Sequence, residues 1–147
     1  MTPPNHDVDG PKNADIERFS AHQHERGMGV RREVLGDAHV DRAEAGKDEF
    51  TEDFQDFITR YAWGDVWARP GLERRGRSIA TLAALVSLGA ENEIGMHVRA
   101  ARRNGLTPEE IKEVILHTAI YAGVPRANSA FAIAQRVFAE EREAPSQ

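Results

Sequence analysis

The segment from Thr107 to Gly123 constrains the fold most, because it carries its own start signal, its own stop signal and an unbroken helical pattern between them. Thr107 stands as an N-cap, Pro108 fills the first helical position, and Glu110 is placed to close a capping box with Thr107. Ile111, Val114, Ile115, Thr118 and Ala122 then recur on one face, and Gly123 with Pro125 ends the run. A segment so bracketed is committed to helix, and the rest of the chain has to pack against it.

The remaining pattern has the same period. Phe50, Phe54, Phe57, Ile58 and Tyr61 lie on one helical face, predicting an amphipathic helix to about Trp67 that ends before Pro70-Gly71. An apolar helix follows from Arg77 to Leu88, breaks near Gly89 and resumes from Ala90 to Arg103, with Asn104-Gly105 as its stop. A last helix spans about Arg126 to Glu141, its alanines permitting close packing between helices or subunits. Upstream, Ile16 and Phe19 start a short helix, Gly27 and Gly29 read as a break before a second one at Val30 to Leu35, and Gly36 to Arg42 reads as a turn or loop. No alternating strand pattern competes, so the expected class is all-α. The expected layout is a flexible tail over residues 1–14, one helical domain over 15–143 and a flexible end over 144–147.

Charge and composition exclude several functions. The net charge is -5 in 147 residues, so no basic stripe favours nucleic acid. The longest apolar stretch, Ile79 to Leu88, falls short of the ~20 residues of a spanning helix. The N-terminus lacks the order of a secretory signal, so the expected compartment is the cytoplasm. There is no cysteine, which removes thiolate chemistry of any kind.

The block from Leu72 to Phe138 resembles the core of the 4-carboxymuconolactone decarboxylase family, and Arg31 to Asp41 with Phe57 to Leu72 are similar to that family's N-terminal half. The wider superfamily includes alkylhydroperoxidases with a Cys-x-x-Cys-x-x-x-His pattern. Here those positions are Ala90, Glu93 and His97, and the peroxidases' relay glutamate falls at Ser78, so both sulfurs are missing while the histidine stays. The resemblance implies a compact, alkylhydroperoxidase-like helical fold in a homo-oligomer, a trimer or hexamer. It also implies decarboxylation of 4-carboxymuconolactone to 3-oxoadipate enol-lactone in protocatechuate breakdown, without metal or organic cofactor. A lactone isomerase or hydrolase, or a non-catalytic helical binding module, are the alternatives on the same scaffold.

That substrate is a dicarboxylate lactone. One carboxylate sits on the ring carbon next to oxygen and the other on an acetate arm. When carbon dioxide leaves, the electron pair can run through the ring double bond to the lactone carbonyl, so the substrate supplies its own electron sink. The protein must hold carboxylate, stabilise an oxyanion and deliver a proton. His97 is the expected proton donor, with Glu93 one turn earlier orienting it and raising its pKa; a plain surface pair is the alternative. Arg77 is the expected carboxylate ligand or else a solvated first-turn residue, with Arg99 and Arg31 behind it. Ser78 should line the pocket. His39 either reaches the site or stabilises a turn, Trp67 and Trp63 are substrate wall or core, and Tyr121 borders the pocket beside His117.

Overall fold

A computed structural model describes residues 12–145. Among these residues every regular element is helical: α1 (Asn13–Leu35), α2 (Asp37–Ala45), α3 (Glu52–Ile58) continued by a π-helical segment Thr59–Trp67, α4 (Arg74–Leu88), α5 (Glu91–Arg103), α6 (Pro108–Ala122) and α7 (Val124–Glu143). No helix among them is long and apolar enough to cross a membrane. The expected tail and C-terminal end lie mostly outside the described residues, although α1 takes in Asn13 and Ala14.

The chain forms two compact units. Of the described residues, the first holds those up to Val30 together with Lys47–Ala68, and the second holds Arg31–Gly46 together with those from Arg69 onward.

In the first unit α1 runs straight through Gly27 and Gly29, correcting the expected break. Gly27 is there for proximity: a Cβ on it would come within 1.9 Å of the Thr59 carbonyl oxygen and 3.0 Å of the Gly64 nitrogen. Gly64 returns the contact, since its own Cβ would meet the Gln23 carbonyl oxygen at 2.8 Å. Two backbones therefore touch where two glycines face each other. Polar bonds fix that crossing: Gln23 Nε2 donates to Asp65 Oδ2 at 2.6 Å and Arg26 Nε donates to the Gly64 carbonyl at 3.0 Å. Trp63 is buried, whereas Phe50, Phe54, Phe57 and Tyr61, read from sequence as one face of an amphipathic helix, are exposed. Phe50 precedes α3 and Tyr61 lies in the π-helical segment, so the single helical row expected from Phe50 to Tyr61 is not formed.

The second unit holds a well-packed apolar core. Leu82 and Val86 of α4, Ile94, Val98 and Ala101 of α5, Ile111 and Ile115 of α6, and Ala127, Ala130, Ala134 and Val137 of α7 are all buried. The alanines let α7 approach its neighbours closely. The capping box forms as expected: Glu110 N donates to Thr107 Oγ1 and Thr107 N donates to Glu110 Oε2. Gly89 ends α4 in the left-handed region and Asn104 ends α5, both at the expected positions.

Gly36 to Arg42, expected as a turn or loop, is instead the start of α2. Gly36 adopts φ 87°, a left-handed value that favours glycine, and separates two helices by a single residue. A Cβ at Gly36 would also lie 2.6 Å from Arg103 Nη2, so the glycine leaves room for a guanidinium.

The two glycines of α1 should respond oppositely to alanine. Gly27→Ala should destabilise by ~1–3 kcal/mol through overpacking against Thr59. Gly29 has open space around it, so Gly29→Ala should stabilise by roughly 0.5–1 kcal/mol. Denaturant melts of both variants check this, and equal effects would contradict the close approach.

Candidate active site

His97 sits on α5 three residues after Ile94 and four before Ala101, both buried in the core of the second unit. That spacing places its ring on the flank of the inward stripe. The ring is accordingly largely removed from water, and its buried Nδ1 has no hydrogen-bond partner among the described residues. Burial lowers the imidazole from its ordinary 6.5 to about 4, and the neighbouring His39 pushes the same way. His97 is therefore uncharged at neutral pH.

His39 is brought to His97 by α2. One turn into that helix it is half-buried, and its pKa is lowered first by burial, then by the charges of Arg42 and Arg31, with Arg103 adding to them and Glu93 opposing. The cluster is thus two imidazoles among three guanidiniums, contributed by the end of α1, by α2 and by α5. Arg31 is 4% exposed and faces Glu44 at 3.8 Å. Its burial lowers its pKa, and Glu44 opposes that shift; a guanidinium so placed stays charged.

The other expected site residues have the following surroundings. Glu93 is exposed, no hydrogen bond or ion pair joins it to His97 among the described residues, and its charge bears on His39. The expected rise in the His97 pKa is therefore replaced by a fall. Ser78 is buried on α4, where its Oγ accepts from Asn104 Nδ2 at 2.9 Å, tying α4 to the end of α5. Arg77 is half-buried; its Nη2 donates to the Arg69 carbonyl at 3.1 Å and its Nε is buried without a partner. Arg99 pairs outward with Glu140. Tyr121 is 79% exposed and its ring meets that of His117. Trp67 belongs to the first unit, where it packs on Trp63 with ring centroids 5.2 Å apart.

Arg42 and Arg103 were missed from sequence. Arg42 follows His39 by three residues, a neighbour only if the segment is helical, and it was read as a loop. Arg103 reaches the group from the last turn of α5, beside a glycine whose role needed the structure. A cleft of about 420 Å³, lined by Gly89, Ala90, Glu91, Asn92 and Glu93, opens at the start of α5 and reaches the cluster at Glu93.

Such a group can do two things. Its cations can hold carboxylates, and its neutral imidazoles can accept a proton once an anion arrives to stabilise the charged form. Among the described residues no three His, Asp or Glu side chains are grouped to hold a metal ion.

The chain is similar to known proteins over most of its length. Residues 52–136 match the model of the carboxymuconolactone decarboxylase family. The chain is 48% identical over 125 residues to a 4-carboxymuconolactone decarboxylase of Acinetobacter baylyi, covering 85% of this chain and 93% of that protein. It is 42% identical over 112 residues to a nitrosuccinic acid decarboxylase of Metarhizium robertsii, covering 76% and 78%. A 4-carboxymuconolactone decarboxylase of Pseudomonas putida is 54% identical over 43 residues, 29% of this chain and 90% of that one.

The buried imidazole makes stability depend on pH. Because the folded value lies below the ordinary one, His97 contributes stability that is complete above 6.5 and is lost as pH falls through the folded value near 4. The unfolded chain takes up a proton in that window and the folded chain does not. From neutral pH to about pH 4, wild type should lose on the order of 3 kcal/mol more unfolding free energy than His97→Gln. Denaturant unfolding across this range measures it, and parallel curves would contradict a buried neutral His97.

Proposed function

This chain belongs to the carboxymuconolactone decarboxylase family, and on that footing we propose that it converts 4-carboxymuconolactone to 3-oxoadipate enol-lactone and carbon dioxide. The observation that carries the reading is the pair of uncharged imidazoles set among Arg31, Arg42 and Arg103. A dianionic substrate needs cations to hold it, and loss of carbon dioxide needs a proton in return.

The reaction follows from the substrate's own bonds. Arginines hold the two carboxylates by charge-assisted hydrogen bonds, and the charges bearing on His39 favour Arg31, Arg42 and Arg103 over Arg77 for this task. The bond between the ring carbon and its carboxylate breaks. Its electron pair forms a new ring double bond, the existing one shifts, and the lactone carbonyl takes the charge as a dienolate. A proton then adds to the carbon next to that carbonyl, giving the enol-lactone. The dianion and one proton become a monoanion and carbon dioxide, so the electrons balance without an external sink.

His97 is the proposed proton donor. It is neutral in the empty site, and two substrate carboxylates beside it raise its affinity for the proton that it later delivers. His39 beside it, with the arginines, sets that affinity. Ser78 acts at a distance in this reading, by bonding Asn104 and fixing the end of α5.

The same reading accommodates the fungal relative. Nitrosuccinic acid is a succinic acid bearing a nitro group, and the lactone also contains a succinate unit, with one carboxylate on the ring carbon and one on the attached methylene. Both compounds carry an electron acceptor that can receive the pair left by carbon dioxide.

A homo-oligomer, a trimer or hexamer, completes the proposal. It is supported by Phe50, Phe54 and Phe57 in the first unit and by Leu116, Ile120 and Val124 in the second, all exposed. Exposed apolar surface of this extent marks interaction sites in water-soluble proteins. The cytoplasm is the proposed compartment.

Purified protein mixed with 4-carboxymuconolactone should release one carbon dioxide per lactone consumed, undiminished after treatment with EDTA. His97→Gln should lower kcat by ~10²- to 10⁴-fold with a smaller change in KM. Lactone loss without carbon dioxide would instead establish an isomerase or hydrolase. Full turnover by His97→Gln would remove His97 from the chemistry.

A further inference from the structure

Of the five asparagines in the chain, only Asn104 is followed by glycine. That pairing has a chemistry of its own, because the backbone nitrogen after an asparagine can attack the side-chain carbonyl carbon and a glycine leaves that nitrogen uncrowded. The end of α5 supplies the space. Gly105 is exposed, and a Cβ built on it would meet nothing within 4 Å, so a five-membered ring can form there without displacing a neighbour. Its φ of 95° favours glycine, so the turn that closes α5 also keeps the reactive pair together.

Both reactants are restrained. Asn104 Nδ2 donates to Ser78 Oγ at 2.9 Å, and Ser78 is 1% exposed, so the amide is tied to a buried hydroxyl on another helix. The Gly105 nitrogen donates to the Arg102 carbonyl at 3.2 Å. The last turn of α5 must open before the two groups meet, and chain segments near helix ends open more readily than the core.

We propose that Asn104 is a site of spontaneous deamidation and that its bond to Ser78 is the latch that sets the rate. In the open turn the Gly105 nitrogen gives up its proton and bonds to Asn104 Cγ. The bond from Cγ to Nδ2 breaks and ammonia leaves, which closes a succinimide ring. Water then opens the ring at either carbonyl, giving aspartate or isoaspartate. One amide and one water become one carboxylate and one ammonium ion, and nothing is oxidised or reduced.

Both products weaken the turn. A carboxylate cannot donate to Ser78, and it places a negative charge at a helix C-terminus, where the peptide dipoles already oppose one. Isoaspartate also carries the backbone through one extra carbon. That carbon falls between the Asn104-to-Ala100 and Leu106-to-Ala101 hydrogen bonds that close α5.

The intact protein is held in mildly alkaline buffer, sampled over time, digested with trypsin and read by mass spectrometry. Trypsin releases residues 104–112 as one peptide, and the amide-to-acid mass gain in it reports conversion. A synthetic peptide of residues 100–112 gives the unlatched rate. Wild type should convert at least about tenfold more slowly than the peptide. Ser78→Ala removes one hydrogen bond from the closed turn and should convert roughly two- to tenfold faster than wild type. Asn92 and Asn128, read from the same digest, should convert more slowly than Asn104. Should Ser78→Ala fail to fold, Asn104→Asp serves: without the donor, its Leu106 amide should exchange hydrogen about two- to tenfold faster than in wild type.

Wild type converting as fast as the peptide would overturn the latch. So would Ser78→Ala converting at the wild-type rate, or unchanged Leu106 exchange in Asn104→Asp. A peptide that converts while Asn104 stays intact in both wild type and Ser78→Ala would overturn the site itself. No lactone enters the measurement, so its result stands apart from the proposed decarboxylation.

Discussion

The arrangement depends on the burial of one imidazole whose Nδ1 has no hydrogen-bond partner among the described residues. His97 shares α5 with Ile94, Val98 and Ala101, and the packing of those side chains into the core of the second unit draws its ring out of water. Burial of a polar nitrogen without a partner costs free energy, on the order of 1–3 kcal/mol from mutational series. Natural interiors hold few such groups, and those they hold commonly mark function.

The scaffold's task is to hold α5 and bring other charges to it. Ser78 and Asn104 join α4 to the end of α5. Gly36 lets α1 pass into α2 within one residue, setting His39 one helical turn further on, and its missing side chain admits the Arg103 guanidinium. Arginine suits the buried Arg31 position because it remains charged out of water, where lysine would lose its proton more readily.

Much of the fold could be read from the sequence, because the second unit is built from helices with explicit ends. Thr107, Glu110, Gly89 and Gly123 act over one turn of chain, so local chemistry determines them. Gly27 shows the limit of that reading. A glycine in a helical pattern marks a break when judged locally, but here it serves a contact with Thr59 and Gly64 more than thirty residues away. The row of Phe50, Phe54 and Phe57 shows the same limit differently: periodicity identifies one face and cannot say what that face meets. The site was legible in part. His97 and His39 were found through resemblance, whereas Arg42 and Arg103 depend on α2 being helical and on where α5 ends. The expected effect of Glu93 on His97 came from their spacing and from resemblance, and neither reports that burial dominates the His97 pKa while Glu93 is exposed.

The central claim is that His97 is neutral in the empty protein because it is buried beside His39. Nitrogen-15 NMR of the histidine side chains, followed through a pH titration of the unliganded protein, measures this directly. The account predicts that the His97 ring keeps the nitrogen shifts of neutral imidazole down to about pH 5 and titrates near 4. A ring that titrates at or above the ordinary 6.5 would contradict it.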